Sequence, residues 1–194
     1  MTLTVAHHAP YTVEDLFEMP DDGNRYEVLE GALIVSPSPD FWHQIIGDRL
    51  QTALEAAAPQ GVMVLTAITV RLGGDETGLV PDVVVTGVDP ASRPKLLDPA
   101  DVLAVVEVVS PSSGTHDRVL KPDRYASFGI DCYWRVELDA FPGQGDDALP
   151  VVLVHERTGT AYREVQRLAA GRADTSRLPF AVRLDPADLL RGAR

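Results

Sequence analysis

Apolar and polar residues change their spacing several times along the chain, and each change marks an element. Residues 12–18 carry a short helical pattern that Thr12 can cap, with Asp15 three residues on, close to a capping box. Residues 19–24, with Pro20, Asp21, Asp22 and Gly23, read as a loop. Two runs, 25–29 and 32–35, flank Glu30-Gly31 and predict a β-hairpin. After Ser36-Pro37-Ser38-Pro39, Ser38 suits an N-cap and Pro39 the first helical position. The helix that follows runs to about residue 57. Trp42, Ile45, Ile46, Leu50, Ala53, Leu54 and Ala57 recur at helical spacing, Arg49 is the one polar member of that face, and Pro59 and Gly61 end it.

Residues 62–72 alternate and are β-branched, which predicts one strand. A turn at 73–78 leads to a second strand over 79–86, where Val83, Val84 and Val85 are contiguous. Residues 102–109 predict a third, Val-Leu-Ala-Val-Val-Glu-Val-Val. Contiguous apolar strands need cover on both faces, so helices are expected on both sides of the sheet. Residues 115–128 are helical in pattern, but Pro122 must kink that helix or restart it in its first turn. A fourth core strand is expected over 132–138. After a Gly-, Pro- and Asp-rich loop, runs at 151–155, 161–168 and 180–184 predict a C-terminal meander, with Thr158-Gly159-Thr160 as a hairpin turn. No internal repeat and no second core is evident. The expectation is a single α/β domain over 1–194, with its core about 11–138 and C-terminal strands about 150–185. Its centre is a mixed β-sheet flanked by helices, with an N-terminal hairpin and a C-terminal β-meander.

Composition narrows the function. The fractions of hydrophobic (45%) and charged (24%) residues are those of a globular protein. No apolar run is long enough to span a membrane. Residues 1–10 lack a basic and apolar leader pattern, and the lone Cys132 has no internal disulfide partner, so a reducing cytoplasm is the expected compartment. Lys and Arg number 17 against 29 Asp and Glu, a net charge of −12. A generic nucleic-acid binder shows a basic face instead. Any nucleic-acid site here must offset its own carboxylates, and cation dependence follows.

Glu107 is the only charge in the run 102–109, and a carboxylate near the end of a buried strand costs free energy unless something compensates it. A salt bridge or solvent contact at the strand end would do so, and so would a metal ion, since carboxylates bind hard cations. Pro81-Asp82 opens the apolar Val83-Val84-Val85 strand. Neighbouring strands lie about 4.8 Å apart, so two such acids can share one cation. Asp117, Lys121 and Tyr125 are spaced i, i+4, i+8, one face of a regular helix. Glu27 alternates with the apolar Tyr26 and Val28, which by itself describes the solvent side of a strand. His43 falls in the first turns of the long helix. His7, His8, His116 and His155 have no spacing that suggests a metal site.

The order helix, strand, Pro-Asp strand, apolar strand with Glu, helix, strand resembles the PD-(D/E)XK restriction-endonuclease-like core. More narrowly, five segments resemble the Uma2 family of endonucleases. They are Arg25-Tyr26-Glu27-Val28-Leu29-Glu30-Gly31, Ser36-Pro37-Ser38-Pro39 with His43, Pro81-Asp82-Val83-Val84-Val85, Val106-Glu107-Val108-Val109-Ser110-Pro111-Ser112-Ser113, and Asp117-Arg118-Val119-Leu120-Lys121-Pro122-Asp123-Arg124-Tyr125-Ala126. Tyr133-Trp134-Arg135-Val136 fits that family's last core strand. The resemblance covers roughly residues 11–138. It implies a Mg²⁺- or Mn²⁺-dependent phosphodiesterase acting on nucleic acid, DNA first. Asp82, Glu107 and the main-chain carbonyl of Val108 would be metal ligands, and Glu27 a further acid at the site. His43 and Tyr125 would stand behind the ligands. The wider superfamily carries Lys two residues after its Glu, where this chain has Val109; Lys121 on the following helix is the match that Uma2-like sequences suggest. Ser110-Pro111-Ser112-Ser113, and Arg118 and Arg124 beside Lys121, are candidate phosphate contacts.

Two other readings stay open. One is a non-catalytic metal- or partner-binding domain of the same fold, favoured by the charge of −12 and by Val109. The other is a glycosidase using Asp82 and Glu107 as its acid pair, against which stands an aromatic content of only 6%. The apolar C-terminal strands also offer an edge for a homodimer, and no membrane partner is expected.

Overall fold

The computed structural model describes residues 10–110 and 114–192. The readings made on 1–9, including His7 and His8, and on Pro111, Ser112 and Ser113, lie outside the described residues. A 3₁₀ turn, Glu14–Glu18, comes first. Thr12 Oγ1 donates to Asp15 Oδ2, and the Asp15 amide donates weakly back to Thr12, the reciprocal bonding expected of that pair. The hairpin pairs β1 (Arg25–Leu29) with β2 (Ala32–Ser36) through Glu30 and Gly31, both at positive φ. That is the turn whose twist matches a tight hairpin. A Cβ on Gly31 would come within 2.6 Å of Pro10, so glycine is required there twice over.

Helix α1 spans Phe41–Ala57. Its N-cap is Asp40, whose side chain accepts from the His43 amide, rather than Ser38. Ser38 donates instead to the Gly23 carbonyl, and Pro39 precedes the helix. The run 62–72 is two strands, not one: β3 (Met63–Thr66) and β4 (Thr69–Arg71). Ala67, at φ 52, turns the chain between them, so the two halves enter different sheets. The run 79–86 divides likewise into β5 (Gly78–Leu79) and β6 (Val83–Thr86). Periodicity is blind to the first break because the alternation continues through Ala67, whereas the second falls at Pro81-Asp82, which opens β6.

Strand β7 (Leu96–Leu97) is followed by β8 (Val102–Val109). The helical segment after β8 is a π turn, His116–Leu120, running into α2 (Lys121–Ser127), then β9 (Cys132–Glu137). Strands β10 (Val151–Thr158), β11 (Ala161–Ala169), β12 (Asp174–Ser176) and β13 (Val182–Leu184) follow, then a 3₁₀ turn, Pro186–Leu190. The central sheet has the order β11-β10-β9-β8-β6-β3, antiparallel except for β8 and β9. A parallel pair needs a crossover, and the π turn with α2 provides it. The second sheet, β2-β1-β5-β4-β7, brings the hairpin against the end of β6.

The central strands are covered on both faces, as their contiguous valines require. On one face Ile46, Leu50 and Leu54 of α1 pack against Val83, Val85, Val106 and Val108. On the other, Tyr125 of α2 packs with Val84, Val105 and Tyr133. Among the described residues no helix is long and apolar enough to cross a membrane.

Candidate active site

The antiparallel register of β6 and β8 pairs Val83 with Val106. One residue further it sets Asp82 opposite Glu107, and opposed residues share a face. That face is the one bearing Val84, Val105 and Tyr133. Asp82 is also stitched to β8 directly: its Oδ2 accepts from the Val108 amide at 2.8 Å. Both acids are buried, at 7% and 1% exposure. They line a cavity of about 450 Å³ together with Arg25, Glu27, Asp117 and Lys121.

Each of the other groups arrives from a different element. Glu27 of β1 accepts from the Val80 amide at 2.7 Å and is buried, not on the solvent side that alternation suggests. Its cover comes from the Val80 segment and from Lys121 of α2, both distant in sequence and invisible to local pattern. Arg25 shares a strand face with Glu27 and donates to Asp82 Oδ1 at 2.7 Å. Sequence reasoning passed over Arg25 as a site residue, although the i, i+2 spacing from Glu27 was the available signal. His43, in the first turn of α1, reaches over the strand end. Its Nε2 lies 2.9 Å from the Val108 carbonyl and 3.1 Å from Asp82 Oδ2.

The π turn resolves the difficulty that Pro122 posed. Within it the Lys121 amide donates to the His116 carbonyl. The next bond of that series would need an N–H on Pro122, which has none. The Asp117 carbonyl accepts from the Tyr133 hydroxyl. The register that results keeps Asp117, Lys121 and Tyr125 on one buried face. Lys121 Nζ sits 3.1 Å from Glu27, 3.2 Å from Glu107 and 3.6 Å from Asp117. The Tyr125 hydroxyl donates to Glu107 at 2.7 Å.

Four buried carboxylates thus meet two permanent cations, Arg25 and Lys121, and an imidazole. Burial alone would raise Asp82, but the hydrogen bond and charge of His43, with Arg25 and Lys121, hold it at about 2. Glu107 goes the other way. Burial raises it well above its ordinary value and the charges of Asp117, Asp82 and Glu27 add to that, against the pull of Lys121. Burial would discharge Lys121, but Glu107, Glu27 and Asp117 raise its pKa and keep it an ammonium. His43 is likewise raised, Asp82 outweighing its burial. Burial first, then Glu107 and Glu27, keep the Tyr125 phenol protonated.

The donor set suits a hard divalent cation. Asp82, Glu107 and the Val108 carbonyl offer oxygens only, and Mg²⁺ is content with one or two carboxylates because it retains several waters. Among the described residues no three His, Cys, Asp or Glu side chains form a metal cage by themselves. The fit therefore rests on two carboxylates and a main-chain oxygen beside a deficit of positive charge. Arg118 and Arg124 do not join Lys121 in a basic cluster. Arg118 turns to the buried Glu137 at 2.7 Å and Arg124 pairs with Glu30. Of the serines after Glu107, Ser110 lines the cavity.

The family model of Uma2, described as "Putative restriction endonuclease", matches residues 13–187. The chain belongs to the Uma2 family. A solved structure similar to this Uma2 chain is described as a putative nuclease belonging to DUF820 from Anabaena variabilis. The two are 18% identical, with a TM-score of 0.68 over 93% of this chain and 97% of that one. At that identity the likeness speaks for the fold alone, a mixed α/β architecture that the two share. No functionally curated protein matches the Uma2 chain.

Proposed function

We propose that this Uma2 chain is a Mg²⁺- or Mn²⁺-dependent endonuclease that hydrolyses phosphodiester bonds in DNA. The whole chain, 1–194, acts as one domain, since β10 and β11 extend the same sheet as β8, and its setting is the cytoplasm. The observation that carries the proposal is the opposition of Asp82 and Glu107 on adjacent strands, facing one cavity with Glu27 and Lys121. Asp82, Glu107 and the Val108 carbonyl are the residues to hold the cation. When bound, the cation supplies Lewis-acid polarisation of the phosphate and charge to activate a water.

The chain's own groups do the rest. Lys121 stays protonated, so it serves as a fixed positive charge against the developing phosphorane and not as a base. Glu27, held by the Val80 amide and Lys121, is the further acid available to orient a water. His43 ties the Val108 carbonyl to Asp82, and Tyr125 fixes one oxygen of Glu107. Both are positioning residues.

Calorimetric titration of Mn²⁺ or Mg²⁺ into wild type, and into Asp82→Ala combined with Glu107→Ala, tests the ligand assignment. Nicking of supercoiled plasmid tests the reaction. We expect binding and nicking in wild type and neither in the double variant. Binding without nicking would favour a non-catalytic domain of the same fold, the reading that the charge of −12 and Val109 support. Lys121→Ala should lose cleavage while keeping most of the cation affinity.

A further inference from the structure

Two aromatic rings are exposed in the first turn of α1, next in the chain to residues that line the cavity. Phe41 is 69% exposed and Trp42 38% exposed. They meet edge to face, with ring centroids 5.2 Å apart at 80°. They open α1 between Asp40 and His43, and both of those residues line the cavity. Val35, 52% exposed, lines it from β2. The core does not call on these rings, because Ile46, Leu50 and Leu54 of the same helix already cover the sheet. The cavity is therefore two-toned, acidic and cation-bridged at its floor and apolar at Ile34 and Val35, with the two exposed rings in the helical turn beside it.

That contrast bears on how a nucleic acid could be held. The chain carries −12, the floor repels phosphate, and Arg118 and Arg124 are engaged with Glu137 and Glu30. Backbone electrostatics, the usual source of affinity, are weak here. Base stacking on aromatic rings does not depend on charge and accepts any base. A ring can stack only on an open base face, and within a duplex both faces of each internal base are covered. The volume, about 450 Å³, is that of a small-ligand site, large enough for one base.

We infer that Phe41 and Trp42 form a stacking platform for an unpaired nucleobase beside the scissile phosphate, so that the substrate class is single-stranded or locally unpaired nucleic acid. The inference deepens the nuclease reading of the same cavity and rests on it.

The chain reports on itself. Of its two tryptophans, Trp134 is buried and donates to the Leu178 carbonyl, leaving Trp42 as the solvent-accessible one. Titrate the full chain, in Ca²⁺, with a fluorescein-labelled oligothymidylate and with the same strand annealed to oligoadenylate, following anisotropy and tryptophan emission. The single strand should bind more tightly than the duplex and quench Trp42. Trp42→Leu, which keeps apolar bulk without a ring, should weaken single-strand binding about tenfold or more, as the loss of one stacked base does. Trp42→Phe should keep most of the affinity while losing the quench.

Equal affinity for both forms, or Trp42→Leu binding as wild type, would overturn the platform; plasmid nicking by the same preparation would leave the nuclease reading standing. Ring-dependent single-strand binding in a protein that cuts no nucleic acid would uphold the platform and refute the nuclease reading. A wild type that sediments as a dimer, and as a monomer once Phe41→Ala and Trp42→Ala are combined, would assign the rings to a second copy of the chain and overturn the platform.

Discussion

Lys121→Met removes the ammonium between Glu27 and Glu107 while keeping most of the side chain's apolar bulk. The partners lie 3.1 and 3.2 Å away, and all three residues are buried. Deleting one partner of a buried ion pair costs about 3–5 kcal/mol, because the remaining charge is left uncompensated. Glu107 limits the damage. Burial, then its acidic neighbours, raise its pKa, so it can take up a proton once Lys121 is gone. A loss of about 3 kcal/mol near neutral pH is expected, or about 6–12 °C in Tm for a chain of this length.

The pH dependence has a definite sign. A carboxyl with a higher pKa folded than unfolded stabilises the fold fully below its unfolded value, ordinarily 4.5, and that contribution is lost as pH rises through the folded value. The gap between variant and wild type should therefore be small near about pH 5 and wide near about pH 8. Mn²⁺ should raise the Tm of the variant at least as much as that of wild type, since the proposed ligands remain and the cation then carries the whole compensation. Thermal unfolding by circular dichroism reads all three. Equal Tm values at both pH settings would show that Lys121 does not compensate the buried acids. A constant offset would assign the loss to packing.

Tyr125→Phe deletes the 2.7 Å donor to Glu107 and should cost about 1.5–3 kcal/mol in unfolding free energy, since the acceptor is a buried carboxyl. Denaturant midpoints measure it, and an unchanged midpoint would remove Tyr125 from the set of positioning groups. Cation binding should release protons, because burial and its neighbours keep Glu107 protonated to higher pH than an ordinary glutamate. Calorimetry in two buffers of different ionisation enthalpy should then return different apparent heats, with affinity rising as pH rises; identical heats would mean that Glu107 is already ionised.

Glu107 and Asp82 stand out in the sequence because each interrupts an apolar pattern, whereas Glu27 and Lys121 stand out only through the resemblance to the Uma2 family. Glu107 is the lone charge in an apolar strand, and Asp82 opens another. What could not be read is how distant segments cover one another. Glu27 looks solvent-facing along its own strand, yet it is buried where the Val80 segment and Lys121 of α2 meet it. The break at Ala67 leaves the alternation intact and the one between β5 and β6 falls in a mostly apolar run at Pro81-Asp82, so the sequence reads as two long strands where four short ones lie in two sheets. Ser38 and Asp40 are both competent caps, and the choice between them follows from Ser38 reaching the Gly23 loop. Arg118 and Arg124 form a basic cluster along the chain, but each finds an acid from another element in space.

The π turn ahead of α2 holds one residue more than an ordinary helical turn would. Its length acts as a phase setting, since a shift of one residue rotates a helix by about 100° relative to what precedes it. A single-codon deletion within 116–120 could leave α2 docked through Tyr125 and Ala126, with the protein still folded. Asp117 would nevertheless swing out of line with Lys121, and its carbonyl would leave the Tyr133 hydroxyl. Insertions and deletions here are thus a way to silence the centre while sparing the scaffold, a distinction that sequence identity alone would not register.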